Sequence, residues 1–172
     1  MDGHKPNRPL RQLREPYEVH VLVSVDPGKR DIWWAHFNAG GYLEKCGRLK
    51  VKSAHQVAQW FGHHYPQLVL AIEKPMIRKG GRFGQARPSD IIDLAVSVGW
   101  VQAAPWLEVA EYLPSTWKGN VPKDLHNRRT LAALSRSELA VLDSAKIPQS
   151  LQHNVVDACG IGLFHLKAKG FR

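Results

Sequence analysis

Polar and apolar positions divide the chain into short strand-like runs first and helical periods later. "EVHVLVSVD" (18–26) is rich in β-branched residues and runs into Pro27-Gly28, which predicts a buried strand closed by a turn. "IWWAHFN", Ala39-Gly40-Gly41 and "YLEKCG" follow as strand, tight turn and strand, making an antiparallel meander. Ser53 then stands before "AHQVAQWFGHHY", where Val57, Trp60 and Phe61 have helical spacing and Pro66 ends the segment. "QLVLAIE" predicts a central strand. "KPMIRKGGRFGQARP" holds too much Gly, Pro and charge for regular structure and predicts a basic loop. Ser89 with Asp90 opens "DIIDLAVSVGWVQAA" as a helix, "WLEVAEYL" reads as a strand, and "PSTWKGNVPK" as another loop. Helices are expected over Asp124 to Leu134, Ser137 to Asp143 and Leu151 to Lys167.

The last of these raises a physical question. "LQHNVVDACGIGLFHL" (151–166) is apolar almost all the way round, with Val155, Val156, Ile161, Leu163 and Phe164 leaving no broad polar face, yet it carries His153 and Asp157 one turn apart. A carboxylate in such a helix needs a cation, a capping donor or a metal ion.

The chain has 172 residues, enough for a single domain with a sizeable core. Its first sixteen residues, with Lys5, Arg8, Arg11 and Arg14, look like a flexible basic arm, so the expected division is an arm over 1–16 and one domain over 17–172. The order of elements predicts an α/β protein: a mixed central sheet that begins with an antiparallel meander and is flanked by helices. Lys and Arg total 24 against 15 Asp and Glu, a formal charge of +9, which suits a polyanion such as nucleic acid. No stretch offers a clear basic amphipathic helix for a membrane surface, and no apolar run is long enough to span one. Cys46 and Cys159 lack the paired spacing of a structural zinc site. With no signal-peptide pattern, the expected location is a reducing cytoplasm.

Three acids fall at informative places. Asp26 ends the first predicted strand, Glu73 ends the strand after the first helix, and Asp157 lies in the last helix. Side chains at the carboxyl edge of a sheet face a crevice, where α/β folds commonly bind ligands. Each acid also has a bland explanation. Asp-Pro-Gly is ordinary turn chemistry, Glu73 could pair with Lys74 or Arg78, and His153 with Asp157 could be a structural i, i+4 pair. One divalent-metal site accounts for all three at once, since Mg2+ and Mn2+ prefer carboxylate oxygens, with His153 completing the set or orienting a water.

"VLVSVDPGKRDIWWAHF", "LVLAIEKP" and "HNVVDACGIGLFHL" together resemble the three acidic motifs of the RuvC-like Holliday junction resolvases, members of the ribonuclease H-like superfamily. The likeness spans roughly Val19 to Lys167, and is closer to phage-encoded members than to the bacterial housekeeping enzyme. It implies a ribonuclease H-like fold and a phage product acting in the cytoplasm of a prokaryotic host. It also implies Asp26, Glu73 and Asp157 as metal-binding catalytic carboxylates, with Asp26 shared between two Mg2+ or Mn2+ ions. The fourth position falls to His153, as ligand or acid/base, with Asn154 as the rival, because the family places a His or Asp three residues before its last Asp.

Lys74, Arg78, Lys79, Arg82 and Arg87 form a run without acids directly after Glu73, where a phosphate backbone would lie. Similar resolvase loops present an aromatic near the junction crossover; Phe83 is the candidate here, with Met76 and Ile77 as rivals. "PSTWKGNVPKDLHNRR" adds Lys118, Lys123, Arg128 and Arg129; the family's paired lysines in this region point first to Lys118 and then to Lys123. A solvated face is the bland alternative for both runs. Trp117 is expected to pack in the core or its loop instead of stacking on a base, Trp33, Trp34, Trp60 and Trp100 in the core or at a dimer face, and His63 and His64 to cap a helix end. The resemblance thus implies a homodimeric endodeoxyribonuclease that resolves four-way DNA junctions by paired nicks, leaving 5′-phosphate and 3′-hydroxyl ends, with the helix from Ser89 to Ala104 at the dimer interface. The alternatives are a ribonuclease H-type nuclease for RNA/DNA hybrids, a non-catalytic branched-DNA-binding module, and a replication or packaging accessory subunit.

Overall fold

The computed structural model describes residues 21–76 and 87–172. The proposed arm, and the loop positions Ile77, Arg78, Lys79, Arg82 and Phe83, lie outside the described residues.

Five strands form one sheet: β1 (Leu22–Pro27), β2 (Asp31–Phe37), β3 (Leu43–Lys50), β4 (Val69–Glu73) and β5 (Glu108–Tyr112), in the order β3-β2-β1-β4-β5. β1 pairs antiparallel with β2 and β2 with β3, while β1–β4 and β4–β5 are parallel. This is the mixed α/β sheet with an initial meander that the sequence predicts. α1 (Ala54–His64) begins as expected, with Ser53 Oγ accepting from the Gln56 amide. His64 Nδ1 lies 2.8 Å from the Trp60 carbonyl near the end of that helix.

Several boundaries differ from the sequence expectation: β3 runs on to Lys50, past "YLEKCG", and β5 is shorter than "WLEVAEYL". α2 (Pro88–Gln102) starts before Ser89, because Pro88 takes the first helical position, where a missing N–H costs nothing, and Arg87 becomes the cap. Part of the loop expected after β5 is a single helical turn, α3 (Pro114–Trp117), again opened by a proline. α4 (Lys123–Ala133), α5 (Arg136–Ser144) and α6 (Gln152–Ala168) fall within a residue of their expected bounds, and a 3-10 turn, Gln149–Leu151, leads into α6.

The period-2 alternation of the strands sorts their side chains between two cores. Leu22, Trp33, Ala35, Phe37, Val69 and Ala71 join the core beneath α6. Val23, Val25, Ile32, Trp34, Leu70 and Ile72 pack with Val57 and Phe61 of α1 and Val98 and Val101 of α2. "LVLAIE" is therefore apolar throughout because both of its faces are covered. Trp33 and Trp34 are buried, whereas Trp60 and Trp100 are half-buried against the second core.

α6 lies unusually close to the sheet. Ser24 Oγ, fully buried on β1, donates to the Ala158 carbonyl at 2.7 Å. A Cβ on Gly162 would come within 2.2 Å of Phe37 Cε2 and 2.7 Å of Ser24 Oγ, so only glycine permits this approach. The mid-helix glycine costs roughly 1 kcal/mol of propensity, a cost that the packing offsets.

α5 is anchored by a buried carboxylate with a full set of partners. Glu138 accepts from the Leu43 and Ser135 amides and from both terminal nitrogens of Arg172, each at 2.8 Å. Burial alone would push this carboxyl up, but those donors hold it down at about 2. Among the described residues, no helix is long and apolar enough to cross a membrane.

Gly162→Ala should cost about 1–3 kcal/mol, the usual range for overpacking a tight core. Denaturant or thermal unfolding measures this, and an unchanged midpoint would contradict the close seating of α6.

Candidate active site

Asp26 and Glu73 terminate adjacent parallel strands. The register pairs Val25 with Ile72, so the next residue on each strand is one of the two acids. Asp26 has the same strand parity as Leu22 and Ser24, and Glu73 the same as Val69 and Ala71, which places both on the face beneath α6. Asp157 comes to them from α6, one residue before the carbonyl that Ser24 holds. The three acids that the sequence singled out are therefore brought to one end of the sheet.

Their electrostatics follow from this proximity. The Asp26 carboxyl is pushed well above the usual range, first by burial and then by the neighbouring charges of Glu73 and Asp157, while Lys118 and Lys123 pull it back. Glu73 Oε2 accepts from Trp117 Nε1 at 2.8 Å and from Lys118 Nζ at 3.4 Å. Lys123 Nζ lies 3.5 Å from Asp157 Oδ2. Asp157 Oδ1 is buried and makes no hydrogen bond among the described residues, and His126 Nε2 lies 4.0 Å from it. Beside it opens a polar cavity of about 390 Å³ between Asp157, His126 and the Lys118–Lys123 loop.

His126 and Trp117 are the site residues that sequence reasoning missed or undervalued. Trp117 is buried, as expected of an isolated tryptophan, and its N–H also fixes the Glu73 carboxylate. His126, on α4, packs edge-on against Trp117 with ring centroids 4.7 Å apart, and its Nε2 lies 3.4 Å from Thr130 Oγ1. Burial lowers its pKa more than Asp157 raises it. Gly160 makes room for the group: a Cβ there would stand 2.9 Å from the Trp117 ring and 3.0 Å from His126 Nε2. A "GxG" in an apolar helix was the available signal, because interior glycine often marks a close approach.

The other predicted residues are less gathered. His153 is half-buried in the first turn of α6, and among the described contacts Asp157 meets Lys123 and His126, not His153. Asn154 is likewise half-buried. Lys74 donates to Glu111 Oε2 at 2.7 Å on the β5 side instead of pairing with Glu73. Arg87 is exposed at the start of α2, and Arg128 and Arg129 are exposed on α4.

Among the described residues, no three His, Cys, Asp or Glu side chains are drawn tightly enough to grip one ion; Lys118 and Lys123 provide the countercharge instead. The donor set still suits a hard divalent cation. A half-buried Asp26 beside two more carboxylates, and an orphaned Asp157 oxygen, both call for added positive charge.

Asp26→Asn should therefore raise folding stability, by about 1 kcal/mol or more, in metal-free buffer at neutral pH. The native carboxyl titrates above the ordinary value of 3.8, so its charge opposes folding above the native pKa, and that penalty disappears as the pH falls towards 3.8. The gain from Asp26→Asn should shrink accordingly in melts from pH 7 to pH 4. A variant less stable than wild type at pH 7 would contradict the like-charge crowding.

A solved structure shares this architecture. The T. thermophilus RuvC in complex with a Holliday junction substrate matches with a TM-score of 0.55 at 17% identity, over 88% of this chain and 97% of that one. The fowlpox virus resolvase in complex with substrate Holliday junction DNA and the yeast mitochondrial Holliday junction resolvase each give 0.47. Their identities are 16% and 8%, over 86% and 92% of this chain and 99% and 86% of theirs. No family model and no curated protein sequence matches. The described residues thus have the RuvC-like fold, a ribonuclease H-like α/β architecture.

Proposed function

We propose that the chain is a divalent-metal-dependent endonuclease that resolves four-way DNA junctions by paired, symmetric nicks. The observation that carries this reading is the meeting of Asp26, Glu73 and Asp157 at the carboxyl edge of a sheet with this fold. The net charge of +9 and the lysines beside the acids fit a phosphodiester substrate.

Asp26, Glu73 and Asp157 would hold two Mg2+ or Mn2+ ions, which supply an activated water and neutralise the leaving oxygen. His153, or Asn154, takes the fourth position at the mouth of α6. Trp117 keeps Glu73 from rotating away, since its N–H occupies one carboxylate oxygen. Lys118 and Lys123 exchange carboxylate for phosphate when DNA enters, which places cations on the scissile group and relieves the carboxylates for metal. Burial lowers the His126 pKa, which disfavours a further positive charge beside Asp157. Lys74, Arg78, Lys79, Arg82, Arg87, Arg128 and Arg129 are assigned to the DNA backbone, and Phe83 to the junction centre.

Symmetric nicking needs two sites related by a two-fold axis. On α2, Ile92 and Val96 are 62% and 43% exposed, and Ala95 and Gly99 lie beside them at helical spacing. This outward apolar stripe is assigned to a homodimer interface.

The test incubates end-labelled four-way junction, matched linear duplex and RNA/DNA hybrid with Mg2+, Mn2+ or EDTA. Paired nicks near the crossover, dependent on metal, are expected for wild type. Losses of about 10²-fold or more are expected in Asp26→Asn and Asp157→Asn, the scale of removing one electrostatic stabiliser of a transition state. Ile92→Glu with Val96→Glu should unpair the two nicks. Preferential cutting of the hybrid would favour the ribonuclease H-type alternative, and tight junction binding without cleavage would leave a branched-DNA-binding module.

A further inference from the structure

A second cavity, of about 490 Å³, lies between the end of β3 and the outer side of α1, away from the carboxylates. Its chemistry is that of a nucleotide seen in negative. Lys50 and Lys52 supply exposed cations, and Gln56 and Gln59 supply amides that can both donate and accept. Trp60 and His64 supply an aromatic stack, with ring centroids 4.5 Å apart and planes inclined by 24°. No lining residue carries a carboxylate, among the described residues. The volume falls within the range of small-molecule pockets, roughly 300–1,000 Å³.

The groove lies on the α1 face of the sheet, opposite the α6 face that holds the carboxylates, and meets the candidate active site only around the sheet's carboxyl edge. Asp26 pairs with Trp33, and Trp33 with Arg48, so Arg48 stands two strands away, about 10 Å at the usual spacing. β3 runs parallel to β1, because each is antiparallel to β2, so its end at Lys50 lies on the same sheet edge as Asp26. Between them the β1–β2 turn exposes Arg30. A strand leaving the carboxylates along this edge passes Arg30 and reaches Lys50 before turning onto the α1 face.

We infer that this groove seats an unpaired nucleotide of the substrate strand, with phosphate on Lys50 and Lys52, base edge on Gln56 and Gln59, and base face on the Trp60–His64 stack. The inference rests on the proposed nucleic-acid substrate and adds a binding site outside the carboxylate cluster.

The test measures binding of a fluorescent oligo(dT) single strand and of a matched duplex by wild type and by Lys50→Ala/Lys52→Ala, across a salt series. Both lysines are exposed, so the variant should keep its fold, which a melting curve checks. Losing two phosphate contacts should lower the salt slope for the single strand by about 1.4. In wild type, the His64 imidazole signal should shift on adding oligo(dT), and in the variant it should not. An unchanged slope would overturn the inference, as would a slope that changes for duplex alone. If wild type cuts junctions while the slopes agree, only the groove fails; if wild type binds no nucleic acid, the proposed function fails with it.

Discussion

The hydrogen bond from Ser24 to the Ala158 carbonyl, with the glycine contact at Gly162, fixes how near α6 comes to the sheet. Asp157 precedes that carbonyl by one residue, so the same contact decides whether it reaches Asp26 and Glu73. Packing and chemistry are thus coupled through one small hydroxyl and one absent side chain. An α6 displaced by a methyl group would weaken the core and separate the acids together.

The site is electrostatically costly, and the rest of the molecule shows what a satisfied carboxylate looks like. Glu138 is the more deeply buried of the two buried acids among the described residues, but two amides and one guanidinium hold it ionised with a pKa near the bottom of the range. Asp26 has neighbouring carboxylates instead of such donors, and its pKa moves the other way. Lys118 and Lys123 offset only part of this imbalance. Glu138 stabilises the fold, whereas the Asp26 cluster holds unfavourable charge that a bound cation would relieve.

Much of this was legible in the sequence, for reasons particular residues make plain. β-branched runs ending in Asp-Pro-Gly and in Glu-Lys-Pro mark two strand ends, and the apolar last helix isolates Asp157 as a residue in need of a partner. The strand order β3-β2-β1-β4-β5 follows from the meander and two parallel crossovers. The partners of the acids were not legible. Lys118, Lys123, Trp117 and His126 approach across 31 to 45 residues of chain, a separation that local periodicity does not encode. The start of α2 and the turn of α3 were misplaced because Pro88 and Pro114 were read as loop residues, whereas proline is well suited to a first helical turn.

The claim on which the account depends is that Asp26, Glu73 and Asp157 form one cation site. Calorimetric titration of the metal-free protein with Mn2+ tests it without reference to cleavage. The account predicts binding by wild type that weakens at least about tenfold, or 1.4 kcal/mol, in each of Asp26→Asn, Glu73→Gln and Asp157→Asn, and not in the distant Asp143→Asn. Equal Mn2+ affinity in all five proteins would contradict it.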